Sequence, residues 1–170
     1  MPCCPIARRR ALGAAALLLS LLSLLSLLWP PLANADGARL AVIDEHGDTL
    51  LNLPMPEGAG WCLAWNHSVA GFPVHDCYRH QRGRMVLERS HLPDFAAGLD
   101  HIPGRGRQVS DGRGGYWIEA IDEPVPGNAY RLRVGSPRVD HRLLFQGQRI
   151  SLSDIAAGER VTIRLHRPLP

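Results

Sequence analysis

After residue 36 the chain never sustains the 3.6-residue apolar period of an amphipathic helix. It offers short runs rich in apolar and β-branched residues, separated by glycine, proline and aspartate turn chemistry. Strands are predicted at residues 39–45, 49–53, 61–66, 74–80, 85–92, 116–121, 130–134, 139–145, 149–152 and 160–166. Gln146-Gly147 is predicted to link two of them as a hairpin. A single helical turn is expected at Ser153–Ala157, with Ser151 or Ser153 as its cap and Gly158 as its stop. Nine or ten short strands with no sustained helix predict an all-β fold, a small β-sandwich or a partly open barrel.

The first 35 residues are of another kind. Arg8, Arg9 and Arg10 precede an uncharged Leu/Ala run from Ala11 to Trp29; Pro30-Pro31 and the small-x-small triplet Ala33-Asn34-Ala35 follow. This is the order of a secretion signal, cleaved after Ala35, with residues 36–170 as one β domain. The alternative is an uncleaved anchor, because the apolar run nearly spans a bilayer. The expected location is the periplasm, or the periplasmic face of the inner membrane if the anchor is retained. Membrane contact is expected only through that segment.

Removing the leader changes the charge argument. The chain has 19 basic residues and 16 acidic ones, and every basic residue is arginine. Three arginines leave with the leader, so 16 remain against 16 acids. An overall neutral domain gives no support for nucleic-acid or anionic-membrane binding. The leader also takes Cys3 and Cys4, leaving Cys62 and Cys77 in an oxidising compartment.

Residues 61–78 read as an antiparallel hairpin turning between Val69 and Ala70, so paired positions sum to 139. Trp61 then opposes Tyr78, Trp65 opposes Val74, and Cys62 opposes Cys77. Aromatic and β-branched pairs of this kind are favourable, and directly opposed cysteines lie within disulfide reach. A Cys62–Cys77 disulfide is expected; a slip of one residue would instead leave two buried thiols. In the same register Ser68 and His75 share a face but stand on the order of 13 Å apart. A hydrolase built on Ser68 would therefore need a base from elsewhere, such as His101 or His141. All eight histidines follow the leader, without Cys-x-x-Cys or His-Glu-x-x-His spacing. Asp94, Asp100 and His101 share one long segment as a metal alternative, but no cofactor or metal is expected. That segment, Pro93–Gly115, has six glycines and two prolines and is expected as a long loop. Its Gly104-Arg105-Gly106-Arg107 stretch is suited to an anion.

The stretch Trp-Cys-Leu-Ala-Trp-Asn-His-Ser-Val at 61–69 precedes Pro73 and Tyr78. Pro-Asp-Phe-Ala-Ala-Gly-Leu at 93–99, Leu-Arg-Val-Gly at 132–135 and Asp-His-Arg-Leu at 140–143 follow. In this order they resemble the bacterial domain-of-unknown-function family 1850 from about Trp61 to His166. The resemblance implies an exported, non-enzymatic accessory domain linked to TRAP-type uptake systems of the TAXI kind. Its partner would be the permease or the solute-binding subunit, and its ligand a small organic anion. His67, Ser68, Gly98, Arg105 and His141 are the candidate binding residues. The alternatives are a periplasmic hydrolase using Ser68 or a histidine, and a His/Asp metal-binding module.

Overall fold

The computed structural model describes residues 37–93 and 102–167. The leader, Asp94, Gly98, Asp100 and His101 lie outside the described residues. Twelve strands and one short helix form two antiparallel sheets. The first sheet has four strands: β1 (Arg39–Asp44), β2 (Thr49–Pro54), β9 (Ala129–Arg133) and β12 (Arg160–His166), in the order β2-β1-β12-β9. The second has eight. Its path is β11 (Gln148–Ser151), β10 (Arg142–Phe145), β3 (Gly60–Asn66), β4 (Pro73–Gln81), β5 (Arg84–Leu92), β7 (Tyr116–Glu119) and β6 (Arg107–Ser110). β8 (Glu123–Pro124) pairs with β5 beside that path. The architecture is a sandwich, and no closed barrel forms.

Period-2 alternation builds the core. Leu40 and Val42 of β1 and Val161, Ile163 and Leu165 of β12 project from the smaller sheet. They meet Trp61, Leu63, Tyr78, Met85, Leu87, Leu143 and Phe145 of the larger one. Each such side chain contributes about 1.5–3 kcal/mol by leaving water. The hairpin of β3 and β4 has the expected register, with Trp61 opposite Tyr78, Cys62 opposite Cys77 and Trp65 opposite Val74. The Trp61 and Tyr78 rings stack at 4.6 Å. Cys62 and Cys77 are disulfide-bonded across a Cα separation of 4.0 Å.

Local signals place the turns well. β10 and β11 join through Gln146 (φ 47°) and Gly147 (φ 76°), the paired left-handed residues of a type I′ hairpin. The helical turn forms as α1 (Leu152–Ala156), where the Ser151 hydroxyl accepts a hydrogen bond from the Asp154 amide.

Two strands exceed the sequence expectation, and both depend on pairing rather than pattern. β6 lies inside the expected long loop, where Arg107–Ser110 pairs with β7. Its residues are mostly polar and exposed, so its alternation carries no apolar signal. β8 has only two residues, one of them proline. Residues 139–141 do not join β10 as expected. The Val139 and Asp140 amides both donate to the Ser136 carbonyl, and Asp140 is left-handed at φ 53°.

The disulfide closes a loop with a sequence separation of 15, for which the chain-entropy model gives about 3 kcal/mol. Reducing it is expected to lower unfolding stability by about that amount. Urea unfolding with and without reductant measures this; coincident midpoints would contradict a structural bond.

Candidate functional site

The faces of β4 diverge chemically. Val74, Asp76 and Tyr78 alternate inward, whereas His75 and Cys77 alternate outward. An aspartate thus stands on a core-facing row: Leu63 of β3, Asp76, Ser90 of β5 and Ile118 of β7 are successive cross-strand partners. The Ser90 hydroxyl donates to Asp76 Oδ1 at 2.6 Å. Burial pushes the Asp76 carboxyl up from its ordinary value, with the Ser90 hydrogen bond and the Arg105 charge opposing that rise. Burial likewise raises the Tyr78 and Tyr130 phenols, and the nearby Asp76 charge adds to both shifts.

This pair sits in a pocket of about 200 Å³ on the inner face of the larger sheet. Trp65, Val74, Leu87, Leu92 and Ile118 supply apolar walls, and Arg105 completes the lining. The pocket adjoins a second apolar cluster of Val74, Leu92, Tyr116 and Ile118. No strand of the smaller sheet contributes to that cluster, so the inner face here is not filled by the opposing layer. Trp65 packs against both clusters, and Leu87 of the main core also lines the pocket.

Arg105 reaches the pocket from the segment before β6. Its amide donates to the Ile102 carbonyl in a turn. Gly106 follows with φ +71°, and a Cβ there would stand 2.7 Å from the Glu119 carbonyl and 2.9 Å from Ile118 Cγ2. Only glycine brings this backbone onto β7 without displacing it. The guanidinium is held by Glu123, with Nε at 2.8 Å and Nη2 at 2.6 Å.

His67, Ser68 and His141 stand apart from the pocket. His67 closes the tip of the β3–β4 hairpin. Its carbonyl accepts the Gly71 amide, its Nδ1 accepts the Ala70 amide, and its ring stacks on Phe72 at 5.0 Å. Ser68 lies in that tip rather than on an extended strand; its side chain is exposed and has no hydrogen-bond partner among the described residues. His141 Nδ1 accepts the Gly135 amide at 2.8 Å, and its ring lies 6.1 Å from Trp65. It braces the wall behind Trp65. Burial lowers its pKa; Asp140 opposes this and Arg142 reinforces it. Of the four candidates among the described residues, only Arg105 lines the pocket; Gly98 lies outside the described residues. No group of three or more potential metal ligands gathers among the described residues.

Asp76 and Ser90 escaped the sequence reading, although a signal was present. Once positions 61–78 pair as a hairpin, Asp76 must share a face with Val74 and Tyr78, and an acid there is anomalous. The outward face carries a second cluster: His75, His91 and Trp117 lie ring to ring, Arg89 stands over Trp117 at 4.5 Å, and His91 Nε2 meets Asp111 at 2.8 Å. His75 is lowered by burial, then by the neighbouring His91 and Arg142 charges.

In comparisons with known proteins, a family model described as a domain of unknown function, DUF1850, matches residues 62–152. That span runs from β3 into α1 and includes the pocket. No curated protein and no solved structure matches.

Two pH effects follow, of opposite sign. Asp76 holds its proton to higher pH when folded than when unfolded. Its contribution is therefore full below the ordinary value of 3.8 and declines as pH rises toward the folded value. Asp76→Asn is expected to remove that decline, so its urea midpoint should gain on wild type between pH 4 and pH 7, by about 1 kcal/mol. His75 and His141 bind protons more weakly when folded. Their contribution is present above the ordinary value of 6.5 and is lost as pH falls through and below it. His75→Phe should flatten the fall in midpoint between pH 7.5 and pH 5.5; an unchanged slope would remove His75 as a cause.

Proposed function

The chain belongs to the DUF1850 family, and on that premise we propose that it is an exported, non-enzymatic accessory module of a TRAP-type uptake system of the TAXI kind. In this reading it takes a small organic anion into the Asp76–Ser90–Arg105 pocket. The location is read from the leader, and the transporter link from the motif order at 61–69, 93–99, 132–135 and 140–143.

The observation that carries the ligand reading is a Ser90-bound, partly desolvated carboxyl facing an arginine across an apolar cavity. A carboxyl whose pKa is raised is a hydrogen-bond donor when protonated. With the Arg105 guanidinium it forms a donor pair suited to a carboxylate, while the Ser90 hydroxyl, already donated to Asp76 Oδ1, orients that carboxyl. At about 200 Å³ the cavity is below the roughly 300–1,000 Å³ of drug-sized sites, which favours a small acid. Nucleophilic chemistry is disfavoured by the strand period itself. His91 follows Ser90 but projects from the opposite face, so the serine gains no base from its own strand.

Thermal unfolding of the full chain with acetate, succinate and glutamate as probes tests the ligand. At least one is expected to raise the midpoint, more strongly at lower pH, where Asp76 is protonated. Arg105→Gln should weaken that response about tenfold or more. No response to any of the three would overturn the anion assignment. Copurification from membranes with a TRAP permease or solute-binding subunit tests the partner; its failure would remove the transporter role while leaving the pocket result standing.

A further inference from the structure

The charges of this domain balance in total but not in space. All seven ion pairs among the described residues involve the larger sheet or its connecting segments: Arg79–Glu88, His80–Glu57, His91–Asp111, Arg105–Glu123, Arg107–Glu119 and Asp140 with both Arg142 and Arg149. The smaller sheet contributes none. Its outward row carries Arg39 on β1, Arg131 and Arg133 on β9, and Arg160 and Arg164 on β12. No outward position of its four strands holds an acid. Asp44 and Glu45 border one end of this face, and the Asp44 carboxylate is engaged by the His46 and Asp48 amides.

The arrangement within that row is unusual as well. Arg133 and Arg160 are direct cross-strand partners. Their Cβ atoms stand about 5 Å apart, and like charges directly opposite one another are destabilising unless an anion lies between them. Arg131 and Arg164 extend the array along the same two strands, at about 7 Å per two residues. Arg131, Arg133, Arg160 and Arg164 are exposed and have no ion-pair partner among the described residues. Arg39 alone is tied down, its Nε donating to Asn52 Oδ1.

We propose that this arginine face is a docking surface for anionic phospholipid headgroups, laying the smaller sheet against a membrane. Guanidinium forks bind phosphate oxygens in pairs, and a flat array of them suits a headgroup layer that is read by charge rather than by shape. The remaining outward residues of these strands, among them Ala41, Ile43, Asn52, Ala129, Thr162 and His166, include no Phe, Tyr or Trp anchor. A protein interface would be expected to bury such an anchor at its centre. Most of this face lies outside residues 62–152, and it shares no residue with the Asp76 pocket.

The test is cosedimentation of the full chain with vesicles of phosphatidylcholine alone or with phosphatidylglycerol, at low and high salt. Binding to the neutral vesicles reads the apolar segment; the excess on anionic vesicles reads charge. An excess of about tenfold or more is expected at low salt, lost at high salt and lost in the Arg131→Gln/Arg133→Gln/Arg160→Gln/Arg164→Gln variant. Arg8, Arg9 and Arg10 are common to both proteins and cancel in the comparison. If the fourfold variant fails to fold, Arg133→Gln/Arg160→Gln decides against Arg82→Gln/Arg84→Gln, which removes equal charge from the β4–β5 turn. Loss in the first pair alone supports the face. Equal loss in both pairs, or no anionic excess in wild type, overturns it.

Discussion

The pairing of β3 with β4 is the constraint on which the rest depends. Trp61 on Tyr78, Trp65 on Val74 and the Cys62–Cys77 bond all require one register. A slip of one residue would turn both tryptophans out of the core and separate the cysteines. β10 and β5 then add to the two sides of this hairpin, and the larger sheet grows outward from it. The disulfide lies on the opposite face of the hairpin from the Trp61–Tyr78 pair. It limits the unfolded chain while the aromatic pair on the other face supplies burial.

The same register divides the chemistry of neighbouring residues. His75 goes to the open face, with His91, Trp117 and Arg89; Asp76 goes inward to Ser90. Buried carboxylates are costly, and Asp76 answers that cost with a raised pKa and a serine donor. It is tolerated because the smaller sheet does not fill this part of the inner face. An acid that would be a defect in a close-packed core becomes a polar group in a small cavity, with Arg105 brought to its edge by the close approach of Gly106 to β7.

How far the sequence went can be judged from particular residues. Ten strand positions, the hairpin register, the Gln146-Gly147 turn and the Ser151 cap are local consequences of alternation and turn chemistry, and each was legible. β6 was not, because Arg107–Ser110 has no apolar face and is ordered only by its partner β7. Arg105 was singled out for its loop and does line the pocket. His67 and His141 were singled out by position; the structure shows their ring nitrogens accepting backbone amides at a hairpin tip and behind Trp65.

Charge shows the boundary most clearly. Composition established that residues 36–170 are neutral overall, and that their basic residues are all arginine. The total carries no information on position. Only the pairing of β1, β12 and β9 placed five arginines on one outward row bordered by acids at one end alone, while the acids of the larger sheet found partners near them. The sequence by itself determined an all-β chain, its hairpin register and its disulfide, because those follow from period, turn residues and spacing along the chain. Tertiary structure alone decided which inward position remains unfilled and which outward row remains uncompensated. Both depend on how one sheet covers the other, and no local pattern encodes that.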